Sequence, residues 1–135
     1  MSWPWGPCQA TKVYEGALTQ APTDHRLHEN FAEFLEAIGE LQPAAVEWQR
    51  VRELTPHHHL GYFQQGRLLA RLGQLSQAQS ALRAAVTLRP DLSEGWFELG
   101  KLHFSDGKPA LAWQEFKRCE ELIPGGERGR QLFFE

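Results

Sequence analysis

The chain is 135 residues long, carries a formal net charge of −3 at pH 7 and contains 23% charged residues. That length is enough for one domain, and so small a net charge argues against nucleic acid or a membrane surface as a partner. No stretch approaches the ~20 consecutive apolar residues of a membrane span, and the start lacks the segments of a secretory signal. We therefore expect a cytoplasmic protein. Because helix-favouring residues predominate, we expect an all-α fold.

Residues 8–24 predict one helix. The residues before it cannot extend it regularly, because Pro4 and Pro7 each remove a backbone donor and restrict the preceding residue. From about Cys8, apolar residues recur every three or four positions and stop before Pro22, as on one face of a helix. The chain therefore enters on the second half of a helical pair. A fragment or isoform of a longer protein would begin in the same way.

Residues 25–126 predict three pairs of helices. Thr23 and Asp24 suit the N-cap of the first helix, since a side-chain oxygen can accept from free N–H groups of the first turn. Asp91, with Glu94 three residues later, resembles a capping box. Helices are expected over 25–38, 59–72 and 76–89, and from Pro43, the Asp91 box and Pro109 onward.

Eight positions recur at an interval of 34 residues. In the last pair they are Trp96, Leu99, Gly100, Gly107, Ala112, Phe116, Cys119 and Pro124. One interval earlier they are Tyr62, Gln65, Gly66, Gly73, Ala78, Leu82, Ala85 and Pro90, and two intervals earlier His28, Phe31, Ala32, Gly39, Ala44, Trp48, Val51 and Pro56. An aromatic residue, Leu-Gly, a turn Gly and then Ala, aromatic, Ala and Pro make a motif that resembles the tetratricopeptide repeat family over about 25–124.

The resemblance implies a right-handed α-solenoid of helix-turn-helix repeats that forms a single domain. Its parts would be a half repeat over 8–24, full repeats over 25–58, 59–92 and 93–126, and a partial capping helix over 127–135. Small residues such as Gly66 and Gly100 would let the two helices of a repeat approach closely. No helix pair can bury both faces alone, so each repeat would depend on its neighbours.

The resemblance also implies that the first helix of each repeat lines a peptide-binding groove. The predicted partner-binding residues are Glu29, Glu33, Phe63, Gln64, Arg67, Glu94, Phe97, Glu98, Lys101 and Phe104. Exposed aromatic side chains on such a face tend to mark a binding surface. Of the cations, Arg67 and Arg71 are expected to pair with neighbouring glutamates, each pair contributing ~0–1 kcal/mol.

The charges of this groove predict what it selects. In the family, a carboxylate clamp for acidic chaperone tails uses Lys, Asn and Arg at fixed places on three first helices. At the matching places this chain has Glu29, Glu33, Gln64, Glu94 and Glu98. Because four carboxylates would repel an acidic terminus, we expect a basic or neutral segment instead.

Histidine is a common zinc ligand, so the histidines of this chain could indicate a metal site. His28 and His103 fall at packing positions of the repeat, where we expect them half-buried with one bonded nitrogen each. Residues 57–58 lie on a turn between repeats, so only His25 and His59 could meet at the surface. Zinc normally needs three or four fixed ligands, and we expect no metal site.

No catalytic constellation is present, because no nucleophile has an adjacent base held by a third group. Gly125, Gly126 and Gly129 follow a helix rather than a strand, so they do not form a phosphate loop. We expect no enzymatic activity and no cofactor. Cys8 and Cys119 are separated by three repeats, too far for a disulfide, and both are expected to be reduced thiols.

These observations predict a non-enzymatic scaffold that binds a protein or peptide. The alternative is a self-associating or regulatory module, or a fragment of a larger polypeptide, because the terminal repeats are open. Trp3 and Trp5 at one end and Phe133 and Phe134 at the other would leave apolar surface there. A homo-oligomer formed through these ends is therefore expected as well.

Overall fold

The computed structural model describes residues 6–122, which form seven α-helices and no strand. The helices are α1 (Pro7–Gln20), α2 (His25–Ala37), α3 (Leu41–Leu54), α4 (His59–Arg71), α5 (Leu75–Leu88), α6 (Ser93–Ser105) and α7 (Pro109–Leu122). Each helix packs against the next one along the chain. This arrangement confirms the all-α repeat fold. The predicted apolar surface at Trp3, Trp5, Phe133 and Phe134, and the predicted partial helix over 127–135, fall outside the described residues.

Each first helix ends at a glycine of the 34-residue period. Gly39, Gly73 and Gly107 have φ values of 88°, 83° and 74°, which side chains with a Cβ rarely adopt. After the glycine, a backbone N–H turns back to a carbonyl of the last helical turn, as between Glu40 and Leu35 at 2.8 Å. This motif satisfies carbonyls that the helix itself leaves free. The glycine thus allows the chain to turn and enter the second helix of each pair.

The predicted N-caps are right in one case and wrong in another. Asp24 caps α2, since its carboxylate accepts from the backbone N–H of Arg26 at 3.0 Å. The capping box at Asp91 is wrong, because α6 has Leu92 as its N-cap and no side-chain cap. The Asp91 carboxylate instead accepts from Arg89 Nε at 3.2 Å across the turn.

A hydrogen bond repeats at the start of every first helix. An aromatic side chain donates to the carbonyl of the proline six residues before it, which lies on the preceding turn. The pairs are His28 Nε2 with Pro22 (2.9 Å), Tyr62 Oη with Pro56 (3.3 Å) and Trp96 Nε1 with Pro90 (2.9 Å). The bond fixes the angle at which the chain enters each repeat.

Neighbouring helices pack closely where one of them has a glycine. A Cβ at Gly66 would lie 2.7 Å from Leu82 Cγ, and one at Gly100 would lie 2.6 Å from Phe116 Cε1. The predicted role of small residues within each repeat is therefore confirmed. Between the first and second repeats the contact is with the main chain itself, because a Cβ at Gly61 would lie 2.9 Å from the backbone nitrogen of Arg52. At the equivalent Gly95, a Cβ would lie 2.7 Å from Val86 Cγ1.

We expect Gly61→Ala to lower the free energy of unfolding by about 1–3 kcal/mol, since α4 must move away from α3 to admit the methyl group. Gly16→Ala is the matched control, because Gly16 also lies in a helix but a Cβ there would meet no atom within 4 Å. That control should stabilise by roughly 0.5–1 kcal/mol through helix propensity. Urea unfolding followed by circular dichroism measures both, and equal shifts would contradict the packing described.

Candidate functional site

The first helices of the three repeats form one surface, which we call the first-helix face and define by α2, α4 and α6. All the predicted partner-binding residues lie on these helices: Glu29 and Glu33 on α2, Phe63, Gln64 and Arg67 on α4, and Glu94, Phe97, Glu98, Lys101 and Phe104 on α6. Their side chains differ widely in burial and in partners. Those differences decide which of them remain open to a ligand.

A glutamate joins the first two repeats across this face. The Glu36 carboxylate lies 2.7 Å from Arg67 Nη2 and 3.3 Å from Arg71 Nη1. Arg67 also donates from Nε to Gln64 Oε1 at 3.0 Å, which orients its guanidinium. The expected pairing of Arg67 and Arg71 with a neighbouring glutamate is confirmed.

A cleft of about 510 Å³ lies between α4 and α6. Cationic side chains stand on both walls, with Arg67 and Arg71 on α4 and Lys101 on α6. On the α6 wall Lys101 Nζ lies 3.1 Å from Glu98 Oε1. Ala70, Leu75 and Leu102 supply the apolar part of the lining. We call this the first-helix cleft. This apolar lining was not predicted from the sequence. The 34-residue period could have indicated Ala70, because it is equivalent to the predicted binding residue Phe104.

The three predicted aromatic residues do not form one exposed set. Phe63 is only 7% exposed and packs in the core with side chains of α5 and α6, so its predicted exposure is wrong. Phe97 is half-buried, with its ring centroid 5.7 Å from that of Phe116 and with Lys101 Nζ 4.9 Å away. Only Phe104, at 62% exposure, stands open to solvent as predicted.

The acidic side chains also divide into paired and open ones. Glu98 is engaged by Lys101, and Glu29 Oε2 lies 3.7 Å from His25 Nδ1. Glu33 is exposed at the α2 end of the face, and the exposed Glu94 lies in the first turn of α6. A carboxylate in that turn interacts favourably with the helix dipole. The carboxylates open to a partner are therefore Glu33 on α2 and Glu94 on α6.

Two histidines lie buried against glutamates of the second helices. His28 Nδ1 lies 2.6 Å from Glu47 Oε2, and His103 Nδ1 lies 2.7 Å from Glu115 Oε2. Glu47 and Glu115 occupy the same position of the 34-residue period, where the middle repeat has Ala81. Both histidines are buried rather than half-buried. The prediction of one bonded nitrogen is wrong for His28, because its Nε2 is bonded to the Pro22 carbonyl as well.

The geometry fixes a proton on His28. A carbonyl oxygen only accepts, so Nε2 must carry the hydrogen of the bond to Pro22. Nδ1 lies against the Glu47 carboxylate. These pairs link the two helices of the first and third repeats, which gives them a structural explanation that requires no metal.

Burial raises the pKa of the Glu115 carboxyl above its ordinary value of 4.5, while the hydrogen bond and charge of His103, and the charge of Arg83, act to lower it. A carboxyl whose pKa is raised by folding stabilises the folded state below its unfolded pKa. That contribution is lost as the pH rises through the folded pKa. The sensitive window therefore starts near pH 4.5 and extends upward.

We expect His103→Leu, which restores the residue found at Leu35 and Leu69 in the other repeats, to raise the pKa of Glu115 further. The variant should lose more stability than the parent as the pH rises from about 4.5 to neutral, because the ionised carboxylate loses its partner. Carboxyl carbon NMR titration and urea unfolding at both pH values measure this. Adding Glu115→Gln should remove the extra pH dependence; a Glu115 pKa identical in parent and variant would contradict the pairing.

The histidine run before α4 has local partners. His58 Nδ1 accepts from the backbone N–H of Leu60 at 3.2 Å and so caps α4, and the ring of His59 lies 3.3 Å from Arg89 Nη1. Burial, His58 and Arg89 lower the pKa of His59, and Asp91 acts to raise it. Within residues 6–122, no group of three or more potential metal ligands comes together. Among the described helices, none has the length and apolar character to cross a membrane.

Geometry and period together define the class of protein: an array of antiparallel helix pairs in which a fixed set of small and large residues recurs. A family model described as "Tetratricopeptide repeat" matches residues 63–127. This match confirms the resemblance to the tetratricopeptide repeat family that the sequence motif predicted. Proteins of this family act as protein–protein interaction modules.

Several curated proteins are similar to this chain. The Hsp70-Hsp90 organizing protein of Triticum aestivum is 28% identical over 91 residues, which are 67% of this chain and 16% of that protein. Tetratricopeptide repeat protein 7B of Homo sapiens is 26% identical over 116 residues, 86% of this chain and 14% of that protein. DnaJ homolog subfamily C member 3 of Mus musculus is 22% identical over 118 residues, 87% and 23% respectively. The chain thus spans less than a quarter of the length of these relatives.

Solved structures share the fold. A crystal structure of MamA superposes with a TM-score of 0.82 at 19% identity and covers 89% of this chain and 70% of MamA. MamA 41-end from Desulfovibrio magneticus RS-1 gives a TM-score of 0.78 at 21% identity, with 86% and 66% covered. At these identities the similarity establishes the helical arrangement alone.

Proposed function

We propose that this chain is a non-enzymatic scaffold that holds a basic or neutral segment of another protein against its first-helix face. The observation that carries the proposal is the first-helix cleft, a concave site with an apolar lining and with charged groups on both walls. Binding sites for peptides and small ligands combine these two features. Membership of an interaction-module family supports the same function.

The charge of the face supports a direction for the bound segment. Glu29 and Glu33 at the α2 end favour lysine or arginine. In the first-helix cleft Arg67, Arg71 and Lys101 are already engaged by Glu36 and Glu98, so that region suits neutral and apolar side chains. Attraction from Glu29 and Glu33 fades beyond a Debye length of about 8–10 Å at physiological salt and acts mainly on the rate of encounter.

Phe104 is the residue expected to set how long the segment stays bound, because it is the exposed aromatic residue of this face. Affinity capture with the chain as bait, followed by mass spectrometry, supplies the partner segment. With that segment, Phe104→Ala should raise the dissociation rate by the equivalent of more than about 1 kcal/mol if it is a hot spot. Surface plasmon resonance measures the rate.

Two comparisons make this test specific. Leu111→Ala is the matched control, because Leu111 is a 43%-exposed apolar side chain on α7 rather than on the first-helix face. Glu29→Lys with Glu33→Lys should mainly lower the association rate at low salt. A partner that binds the Phe104 and glutamate variants like the parent would place the interface elsewhere.

Self-association is the second candidate, and the apolar exposure at the last described helix pair favours it. Phe104 and Leu111 are 62% and 43% exposed there. If the chain stacks end to end, multi-angle light scattering will show a mass that rises with concentration and falls in a Phe104→Glu, Leu111→Glu variant. A concentration-independent monomer would exclude this candidate and leave the scaffold function standing.

A further inference from the structure

A second cleft, of about 550 Å³, lies on the side of the second helices, between α1 and α3, with α2 as its floor. We call it the N-terminal cleft. Its floor is formed by Phe31, Leu35 and Ile38, and its walls carry Cys8, Pro43 and Val46. Phe31 and Leu35 are buried, whereas Val46 is 43% exposed at the mouth. The cleft is therefore an apolar depression that opens to solvent.

The same place one repeat later shows that the fold does not require an apolar lining. A cleft of about 480 Å³ lies between α3 and α5 over α4, and we call it the second cleft. The 34-residue shift carries Phe31 to Gln65, Pro43 to Gln77 and Val46 to Ser80, and all three of these polar residues line the second cleft.

The polar side chains of the second cleft moreover have partners within the cleft. Arg52 Nη1 donates to Gln65 Oε1 at 2.8 Å, and its guanidinium carbon lies 5.0 Å from the centroid of the Tyr62 ring. The residue 34 positions before Arg52 is Leu18, which packs against the core. The polar side chains of the second cleft thus bond to one another, whereas the N-terminal cleft has an apolar floor.

The charged side chains that line the N-terminal cleft are all glutamates, namely Glu15, Glu40 and Glu47. Glu47 is held by His28. Glu15 and Glu40 are exposed, and within residues 6–122 neither carboxylate has an ion-pair partner. An apolar depression with an acidic edge complements a segment that carries both apolar and basic side chains.

The length of the cleft suggests the form of that segment. Its lining runs from Cys8 to Glu15 on α1 and from Phe31 to Ile38 on α2. At 1.5 Å per residue, the α1 wall and the α2 floor are each on the order of 10 Å long, or about two helical turns. A helix that docks in a groove presents apolar anchors at i, i+4 and i+7, which matches this length.

We propose that the N-terminal cleft is a second docking site, which takes a short amphipathic helix of a partner protein with apolar anchors and flanking lysine or arginine. The site is separate from the first-helix face and does not depend on the function proposed for it. Pro43 and Val46 contact the apolar anchors, and Glu15 and Glu40 attract the flanking lysine or arginine residues.

Cys8 reports on occupancy because it is exposed at the edge of the cleft. Cys119 is buried, and burial raises the pKa of its thiol, so it should remain almost unmodified and serve as an internal control. The probe is a synthetic helical peptide of about 12 residues with leucines at i, i+4 and i+7 and lysines elsewhere. Alkylation of Cys8 by iodoacetamide is followed by intact mass.

We expect the peptide to slow alkylation of Cys8 about tenfold at a concentration ten times its Kd, since only the free fraction reacts. Pro43→Gln with Val46→Ser gives the N-terminal cleft the residues of the second cleft and should abolish the protection. Ser80→Ala, the matched change in the second cleft, should leave protection as in the parent. Peptides with serine for leucine or glutamate for lysine should not protect.

Five results would overturn the proposal. No protection by the leucine–lysine peptide up to millimolar concentration would do so, as would equal protection by the serine or glutamate peptide. Protection that survives Pro43→Gln with Val46→Ser would place the peptide elsewhere. Cys8 that becomes unreactive as the chain itself is concentrated would identify a second copy as the occupant, and Cys8 that becomes more reactive on removal of residues 1–5 would identify the chain's own N-terminal segment.

Discussion

Close packing of neighbouring helices at glycine is the constraint on which the rest of this structure depends. Within repeats, Gly66 and Gly100 leave room only for the side chains that face them, and between repeats Gly61 brings α4 against the main chain of Arg52. Each repeat contacts only its neighbours, so an error in one contact displaces everything beyond it. The distances between α2, α4 and α6, and hence the dimensions of the first-helix cleft, follow from these glycines.

The two sides of the array have different chemistry. On the first-helix face, Glu36 of α2 forms ion pairs with Arg67 and Arg71 of the next repeat, and Lys101 pairs with Glu98 within α6. Exposed ion pairs of this kind contribute little to stability, typically ~0–1 kcal/mol each. Their main effect is to hold long side chains in place around a cleft. The second-helix side, by contrast, is polar in one repeat and apolar in the preceding one.

Helix positions and the repeat family could be predicted from the sequence, because the 34-residue period records backbone packing directly. Side-chain environment was harder to predict. Phe63 and Phe97 are equivalent by period, yet Phe63 is buried because Leu99 and Leu102 of the following repeat pack with it. Phe97 lies in the last described repeat and contacts Phe116 and Lys101 instead. Whether a neighbour exists to cover a position is a property of the array, which no single repeat reveals.

Local competition explains the remaining differences. Asp91 has the residue type and spacing of a cap, but Arg89 lies close enough across the turn to bind its carboxylate, and the helix begins later. The glutamate partners of His28 and His103 lie on the next helix, 19 and 12 residues away. Such pairs depend on how two helices are rotated about their axes, which the apolar pattern of either helix leaves open.

The hydrogen bond from each first helix to a proline carbonyl explains an otherwise puzzling choice of residues. Histidine, tyrosine and tryptophan share little beyond an aromatic ring with a donor at its far edge, yet they occupy one position in successive repeats. Proline itself donates no N–H, but its carbonyl still accepts. The position therefore selects for reach and donor capacity rather than for a residue type. Histidine, tyrosine and tryptophan can each make this hydrogen bond. Phenylalanine has an aromatic ring but no donor, so it cannot.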